Sequence, residues 1–74
     1  MAGRSEMRKA YNAAIVTHNP TAPKCVDVTT HYVWNGCEYT FLMDDGQSTK
    51  VLGTTEPIAD IARRAAKQHA EGMW

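Results

Sequence analysis

The sequence lacks most of the features from which a biochemical function can be recognised. Its 74 residues carry eight basic and eight acidic side chains, so the formal net charge is zero. A neutral chain has no overall attraction for nucleic acid, and it has no acidic excess with which to mimic DNA. No apolar run approaches the roughly 20 residues of a membrane-spanning helix, and the N-terminus has no apolar signal-peptide core. We therefore expect a cytoplasmic protein that is not inserted in a membrane.

The motifs of catalysis and metal binding are also missing. The chain has no CxxC, no HxxxH and no glycine-rich phosphate loop. Asp27 and Glu38 lie near opposite ends of their predicted strands, too far apart to act as a catalytic pair. The three histidines, His18, His31 and His69, are scattered, and we expect them to be surface or helix-capping residues. The sequence therefore predicts no enzymatic activity, no metal and no other cofactor.

The chain has only two cysteines, Cys25 and Cys37, and their spacing argues against a disulfide bond. In the hairpin described next, their sulfur atoms would lie roughly 30 Å apart and point to opposite faces of the sheet. Free thiols fit a reducing compartment. We expect Cys37 to be a small buried hydrophobic residue.

The most informative feature that is present is Asn35-Gly36, between the runs VDVTTHYVW and CEYTFLM. This dipeptide favours a two-residue type I′ hairpin turn, because both central residues of that turn need positive φ. Such a turn places Trp34 opposite Cys37 and Tyr32 opposite Tyr39. Strand alternation then gathers four rings on one inward face, those of Tyr32, Trp34, Tyr39 and Phe41, and leaves a mostly polar opposite face.

Apolar periodicity predicts a helix on each side of this hairpin. The first covers residues 5–17, although residues 13–18 (AAIVTH) also fit a short strand. The second covers residues 57–70, with Pro57 in the first turn, where its missing N–H is not needed.

A third strand is predicted over residues 47–52, after the turn Asp44-Asp45-Gly46. Its register is open. A two- or four-residue loop turns Ser48, Lys50 and Leu52 to the core. A three-residue loop with a glycine bulge turns Thr49 and Val51 there instead.

The order α-β-β-β-α predicts one α+β domain over residues 1–74. In this fold, two helices cover one face of a three-stranded antiparallel β-meander. A domain of this size is marginally stable alone, because its small core must offset the conformational entropy of the whole chain. A homodimer or a bound partner would add buried surface, so the size of the chain favours an obligate interaction.

Five basic residues lie on the predicted helices: Arg8, Lys9, Arg63, Arg64 and Lys67. Basic helices can hold phosphates, although a solvated face with Asp60 paired to Arg64 explains the same pattern. In element order and length the chain resembles the double-stranded-RNA-binding domain. Residues 54–60 read TTEPIAD where that family has a lysine cluster, and a tight turn replaces its GPxH-like loop. The resemblance therefore implies the fold, and neither RNA-contacting motif transfers to this chain.

The uncovered face of the sheet is the best candidate for a binding surface. If the loop before the third strand has two or four residues, Val51 also lies on this face. A mildly apolar patch with a polar rim suits protein docking, although threonine and aliphatic residues also follow from strand propensity. Met73 and Trp74 add two large apolar groups that could pack on the core or anchor a partner. The candidate docking residues on the face are His31, Val33, Glu38, Thr40 and Leu42.

We therefore expect a small non-enzymatic protein-binding module. Small, neutral, motif-free domains are typical of phage or mobile-element accessory proteins, including inhibitors of host enzymes or of CRISPR-type defence complexes. A protein partner within a host macromolecular complex is the first hypothesis. Nucleic-acid binding through the basic helix residues is the alternative, and steep weakening with salt would distinguish it.

Overall fold

The computed structural model describes residues 4–73, without the side chain of Met73, so the predictions for Met73 and Trp74 as apolar anchors lie outside the described residues. The three strands form one antiparallel sheet in the order β1-β2-β3, and both helices contribute to a single core on one side of it. The predicted α+β fold is confirmed, and residues 13–18 belong to the first helix. The elements are α1 (Arg4–His18), β1 (Cys25–Val33), β2 (Gly36–Met43), β3 (Ser48–Gly53) and α2 (Ile58–Met73).

The hairpin between β1 and β2 turns one residue earlier than predicted. Val33 pairs with Gly36, so the two loop residues are Trp34 and Asn35. Only glycines have positive φ among the described residues, so a type I′ turn is not formed. Gly36 has φ of 154°, and a Cβ at this position would lie 2.4 Å from the Gly53 carbonyl oxygen. Glycine is therefore favoured at this position both by the positive φ at the end of the hairpin loop and by the close approach of β3.

The β1–β2 register is displaced by two residues from the predicted one, with Tyr32 opposite Cys37 and Val28 opposite Phe41. A shift of two keeps every side chain on its predicted face, because side chains alternate with a period of two. A bulge between Cys25 and Asp27 breaks this alternation at the start of β1. Cys25 is therefore buried in the core beside Met43, and the prediction that the two cysteines point to opposite faces is wrong. Both remain free thiols.

The turn between β2 and β3 follows the glycine-bulge alternative. The Met43 amide donates to the Gln47 carbonyl at 2.8 Å, and Gly46 closes the three-residue loop with φ of 90°. Thr49 and Val51 are consequently buried against the helices. The alternate residues Ser48, Lys50 and Leu52 lie on the uncovered face.

The core is centred on Tyr11 of α1 and Phe41 of β2, whose rings stack at a centroid distance of 5.1 Å. Burial of each large side chain contributes about 1.5–3 kcal/mol. On α2 the buried stripe is mostly alanine, which lets the helix lie close to its neighbours. The fully buried large side chains are Tyr11, Phe41, Ile15, Met43, Ile61 and Val28.

The predicted inward cluster of four rings is only half formed. Phe41 is fully buried and Tyr39 packs at the edge of the core, but Tyr32 is 84% exposed and Trp34 is 96% exposed. Tyr32 lies on the inner face opposite the buried Cys37, yet beyond the region that the helices cover. The nine residues of β1 extend about 30 Å, whereas the 15 residues of α1 extend about 23 Å. Trp34 lies in the loop and belongs to neither face.

Candidate functional site

The predicted docking residues lie on one surface, the outer face of the sheet, which no helix covers. Cross-strand pairing sets His31 beside Glu38, and Glu38 beside Leu52. The next row is Thr29, Thr40 and Lys50. This threonine and lysine row separates Leu42, at one end of the face, from Val33 and Leu52 at the other. The outer face is therefore polar in its middle, and its apolar groups do not form one continuous patch.

Two apolar groups of the outer face, Val33 and Leu52, lie at the same end of the sheet as the exposed rings of Tyr32, on the inner face, and Trp34, in the loop. Val33 is half-buried, and Leu52 is 37% exposed. A Cβ on Gly36 would lie 3.4 Å from Leu52 Cδ1, which places this leucine beside the hairpin turn. We call the set Tyr32, Val33, Trp34 and Leu52 the tip surface.

Sequence reasoning missed three members of the tip surface. It assigned the rings of Tyr32 and Trp34 to the core, and it did not include Leu52 among the docking residues. A side chain in a two-residue loop has little to pack against. With the turn placed at Trp34 and Asn35, the sequence would therefore have indicated an exposed Trp34. The signal for Tyr32 was its distance from the middle of the strand. Tyrosine and tryptophan, large aromatic side chains that also carry a polar group, are enriched at protein–protein interfaces.

The five basic residues do not form one patch. Arg64 donates from Nη2 to the Leu52 carbonyl and to Glu56 Oε1, both at 2.8 Å, so it joins α2 to β3. The predicted pairing of Asp60 with Arg64 is wrong, because Asp60 pairs with Arg63 one residue earlier. Arg8 reaches the other edge of the sheet, where Nη1 lies 3.5 Å from the Val26 carbonyl.

The remaining basic side chains face the outside of the helix layer. Arg63 and Lys67 line a shallow groove of about 530 Å³ between α1 and α2, whose floor is alanine. Lys9 is exposed on α1. The basic residues are thus distributed over three sides of the molecule.

His69 is buried, which corrects the expectation that all three histidines are surface or capping residues. His18 and His31 are exposed as expected. His69 continues the buried stripe of α2 four residues after Ala65, and this spacing was the signal that sequence reasoning overlooked. Its Nδ1 lies 2.5 Å from Tyr11 Oη, and its Nε2 lies 3.1 Å from Gln47 Oε1.

One proton assignment satisfies all three groups of this network. Gln47 Oε1 can only accept, so His69 Nε2 carries the hydrogen and Nδ1 accepts from the Tyr11 hydroxyl. Burial lowers the pKa of His69, although the Asp45 carboxylate opposes the shift. Burial also raises the pKa of Tyr11. Both groups are therefore neutral and hydrogen-bonded at pH 7, which is a structural role.

Within residues 4–73, no three histidine, cysteine, aspartate or glutamate side chains are grouped closely enough to hold a metal ion. Neither helix of that range has the length and apolarity needed to cross a bilayer. No family model matches the chain, and comparison with curated proteins and with solved structures gives no significant match.

Proposed function

We propose that this chain is a protein-binding module that docks through the tip surface. The observation that carries the proposal is the exposure of Trp34, 96%, next to Tyr32 at 84%. Tryptophan and tyrosine are the residues that most often dominate the energy of protein interfaces. The polar rim that such a centre needs is available in His31, Glu38 and Thr40 on the neighbouring outer face.

The geometry of the tip also favours docking. Trp34 lies in a loop of two residues that is held at both ends by the pairing of Val33 with Gly36. Because the backbone of so short a loop is held at both ends, binding of a partner has to order only the Trp34 side chain. The tip surface also projects beyond the helix layer, so a partner can reach it without displacing a core residue.

The test compares substitutions at the hairpin tip with a substitution at the far end of the outer face. We expect Trp34→Ala and Val33→Glu to weaken capture of the specific partner from host lysate by about 30-fold or more, equivalent to about 2 kcal/mol. Leu42→Glu places the same charge at the far end of the outer face and serves as the matched control. Nuclease treatment of the lysate separates protein partners from nucleic acid. Equal capture by the wild type and both tip variants would contradict the proposal.

Nucleic-acid binding remains the second candidate, supported by the groove that Arg63 and Lys67 share. It has less support, because Arg8, Arg63 and Arg64 already bond to groups within the chain. Binding through these residues should weaken steeply with salt and should be lost in the variant with alanine at Arg63 and Lys67. Docking through the tip surface should respond to neither change.

We further propose that the partner belongs to a host macromolecular complex, that the protein is a phage or mobile-element inhibitor, and that it acts in the cytoplasm. The support is the small size and neutral charge of the chain and, for the compartment, its two free thiols.

A further inference from the structure

The two edges of the sheet differ in how their backbone groups are covered. On the β3 edge, side chains of α2 bind the outward carbonyls: Gln68 Nε2 donates to Lys50 at 2.9 Å, and Arg64 Nη2 donates to Leu52 at 2.8 Å. The β1 edge is covered only at its start. There, the amide of Asn12 exchanges two hydrogen bonds with the Cys25 backbone, at 2.7 and 3.2 Å.

The ladder determines which β1 groups point to the open edge. Because the Met43 amide bonds to Gln47, the odd-numbered residues of β2 direct their backbone groups to β3 and the even-numbered residues direct theirs to β1. Their partners in β1 are the odd-numbered residues. The N–H and C=O groups of Val28, Thr30 and Tyr32 therefore point away from the sheet. Among these, the Val28 amide donates at 2.9 Å to the carboxylate of Asp27 beside it.

Apart from the Asp27 carboxylate on the Val28 amide, the open segment has none of the usual protecting features. Sheet edges are usually protected by lysine, proline, a bulge or a covering element. Residues 28–33 read VTTHYV, with no lysine, proline or glycine. The bulge lies before this segment, between Cys25 and Asp27. The segment is therefore a regular edge that can accept a further antiparallel strand.

We propose that this strand is β1 of a second copy, paired about a two-fold axis at Thr29, so that two chains form one six-stranded sheet. This register sets Val28 opposite the partner's Thr30, and both residues direct their backbone groups outward, as a hydrogen-bonded pair requires. The other regular cross-strand pairs are Thr29 with itself and Asp27 with the partner's His31, and the bulge at Val26 ends the ladder beyond them. Threonine pairs stabilise antiparallel strands, and a ring N–H of His31 can donate to the carboxylate of the partner's Asp27.

Neighbouring registers are less complementary. An axis at Thr30 would set Asp27 opposite the partner's Val33, an apolar side chain that cannot donate to the carboxylate. The axis at Thr29 also suits the shape of the layers. Each helix-covered end, where Arg8 reaches Val26, meets the end of the partner where Tyr32 is uncovered. The pairing would cover two exposed side chains, Tyr32 at 84% and Val26 at 47%.

This inference does not depend on the proposed docking function, and its test uses the oligomeric state alone. We expect sedimentation equilibrium of the wild-type chain to give the mass of a dimer in the micromolar range. Residue 29 meets its own copy at the axis, so Thr29→Lys and Thr29→Glu should each sediment as monomers because like charges face each other. An equimolar mixture of the two variants should recover the dimer mass.

Thr40→Lys is the matched control, because Thr40 pairs with Thr29 on the same face but lies inside the sheet. It should leave the dimer intact. Thr30→Pro removes an outward N–H without touching the intrachain ladder, and it should also give monomers. Three results would each overturn the proposal: a wild-type monomer at millimolar concentration, loss of the dimer in Thr40→Lys, or no recovery of the dimer in the mixture. Circular dichroism shows whether each variant is folded.

Discussion

Aromatic side chains are buried at one end of the sheet and exposed at the other. At the helix-covered end, Tyr11 and Phe41 are fully buried and stack on each other. At the hairpin end, Tyr32 and Trp34 are almost fully exposed. Tyr32 lies on the same face of the sheet as Phe41, so its face does not explain the difference. Strand alternation therefore determines which face a side chain lies on, whereas the part of the sheet that the helices cover determines whether the side chain is buried.

The largest effect is expected at the covered end. Phe41→Ala should lower the free energy of unfolding by about 3–5 kcal/mol, because it removes a buried ring and leaves a cavity against Tyr11. Total stability for a domain is about 5–15 kcal/mol, so this variant should be close to unfolding at 25 °C. Urea denaturation followed by circular dichroism measures the change. A loss of less than about 1 kcal/mol would mean that the core is not centred on this ring.

Strand alternation and turn chemistry were sufficient to predict the fold and most of its faces. The element order and the outer-face positions of His31, Val33, Glu38, Thr40 and Leu42 follow from periods of two and 3.6, whereas the register of β3 stayed open between two alternatives. A register shift of two residues left these predictions intact. Had the shift been one residue, every face would have been reversed.

Most of the errors concern features that depend on contacts between elements. The hairpin turns one residue early where Gly36 approaches Gly53, and the bulge at Val26 turns Cys25 inward. The largest errors concern the residues of the candidate site. A strand pattern does not reveal where a packed helix ends, so sequence reasoning assigned Tyr32 and Trp34 to the core instead of to a surface.

A smaller effect, confined to the covered end, is expected from pH. His69 has a lowered pKa in the folded chain, so the unfolded chain binds its proton first as the pH falls below the ordinary value of 6.5. The stabilising contribution of the neutral histidine is therefore complete above that pH. It declines as the pH falls toward the folded-state pKa, because the protonated ring cannot accept from the Tyr11 hydroxyl.

Urea midpoints between pH 7.5 and 5 measure this dependence. His69→Gln is the control, because glutamine does not titrate and its side-chain oxygen can accept a hydrogen bond. Carboxylates contribute equally to both proteins, so the difference between the two pH profiles isolates His69. Parallel profiles would show that His69 keeps an ordinary pKa and that its burial adds no pH dependence.

The smallest effect on stability is expected at the hairpin end, in contrast to the helix-covered end. Trp34→Ala should change the free energy of unfolding by no more than about 0.5 kcal/mol, because a ring that is 96% exposed has almost no packing to lose. The same urea experiment that detects the loss in Phe41→Ala measures it. A loss above about 1 kcal/mol would show that Trp34 packs on its own chain in solution, and the ring would then have a structural role. If stability is unchanged, any weakening of partner capture in this variant comes from the lost contact of the ring and not from unfolding.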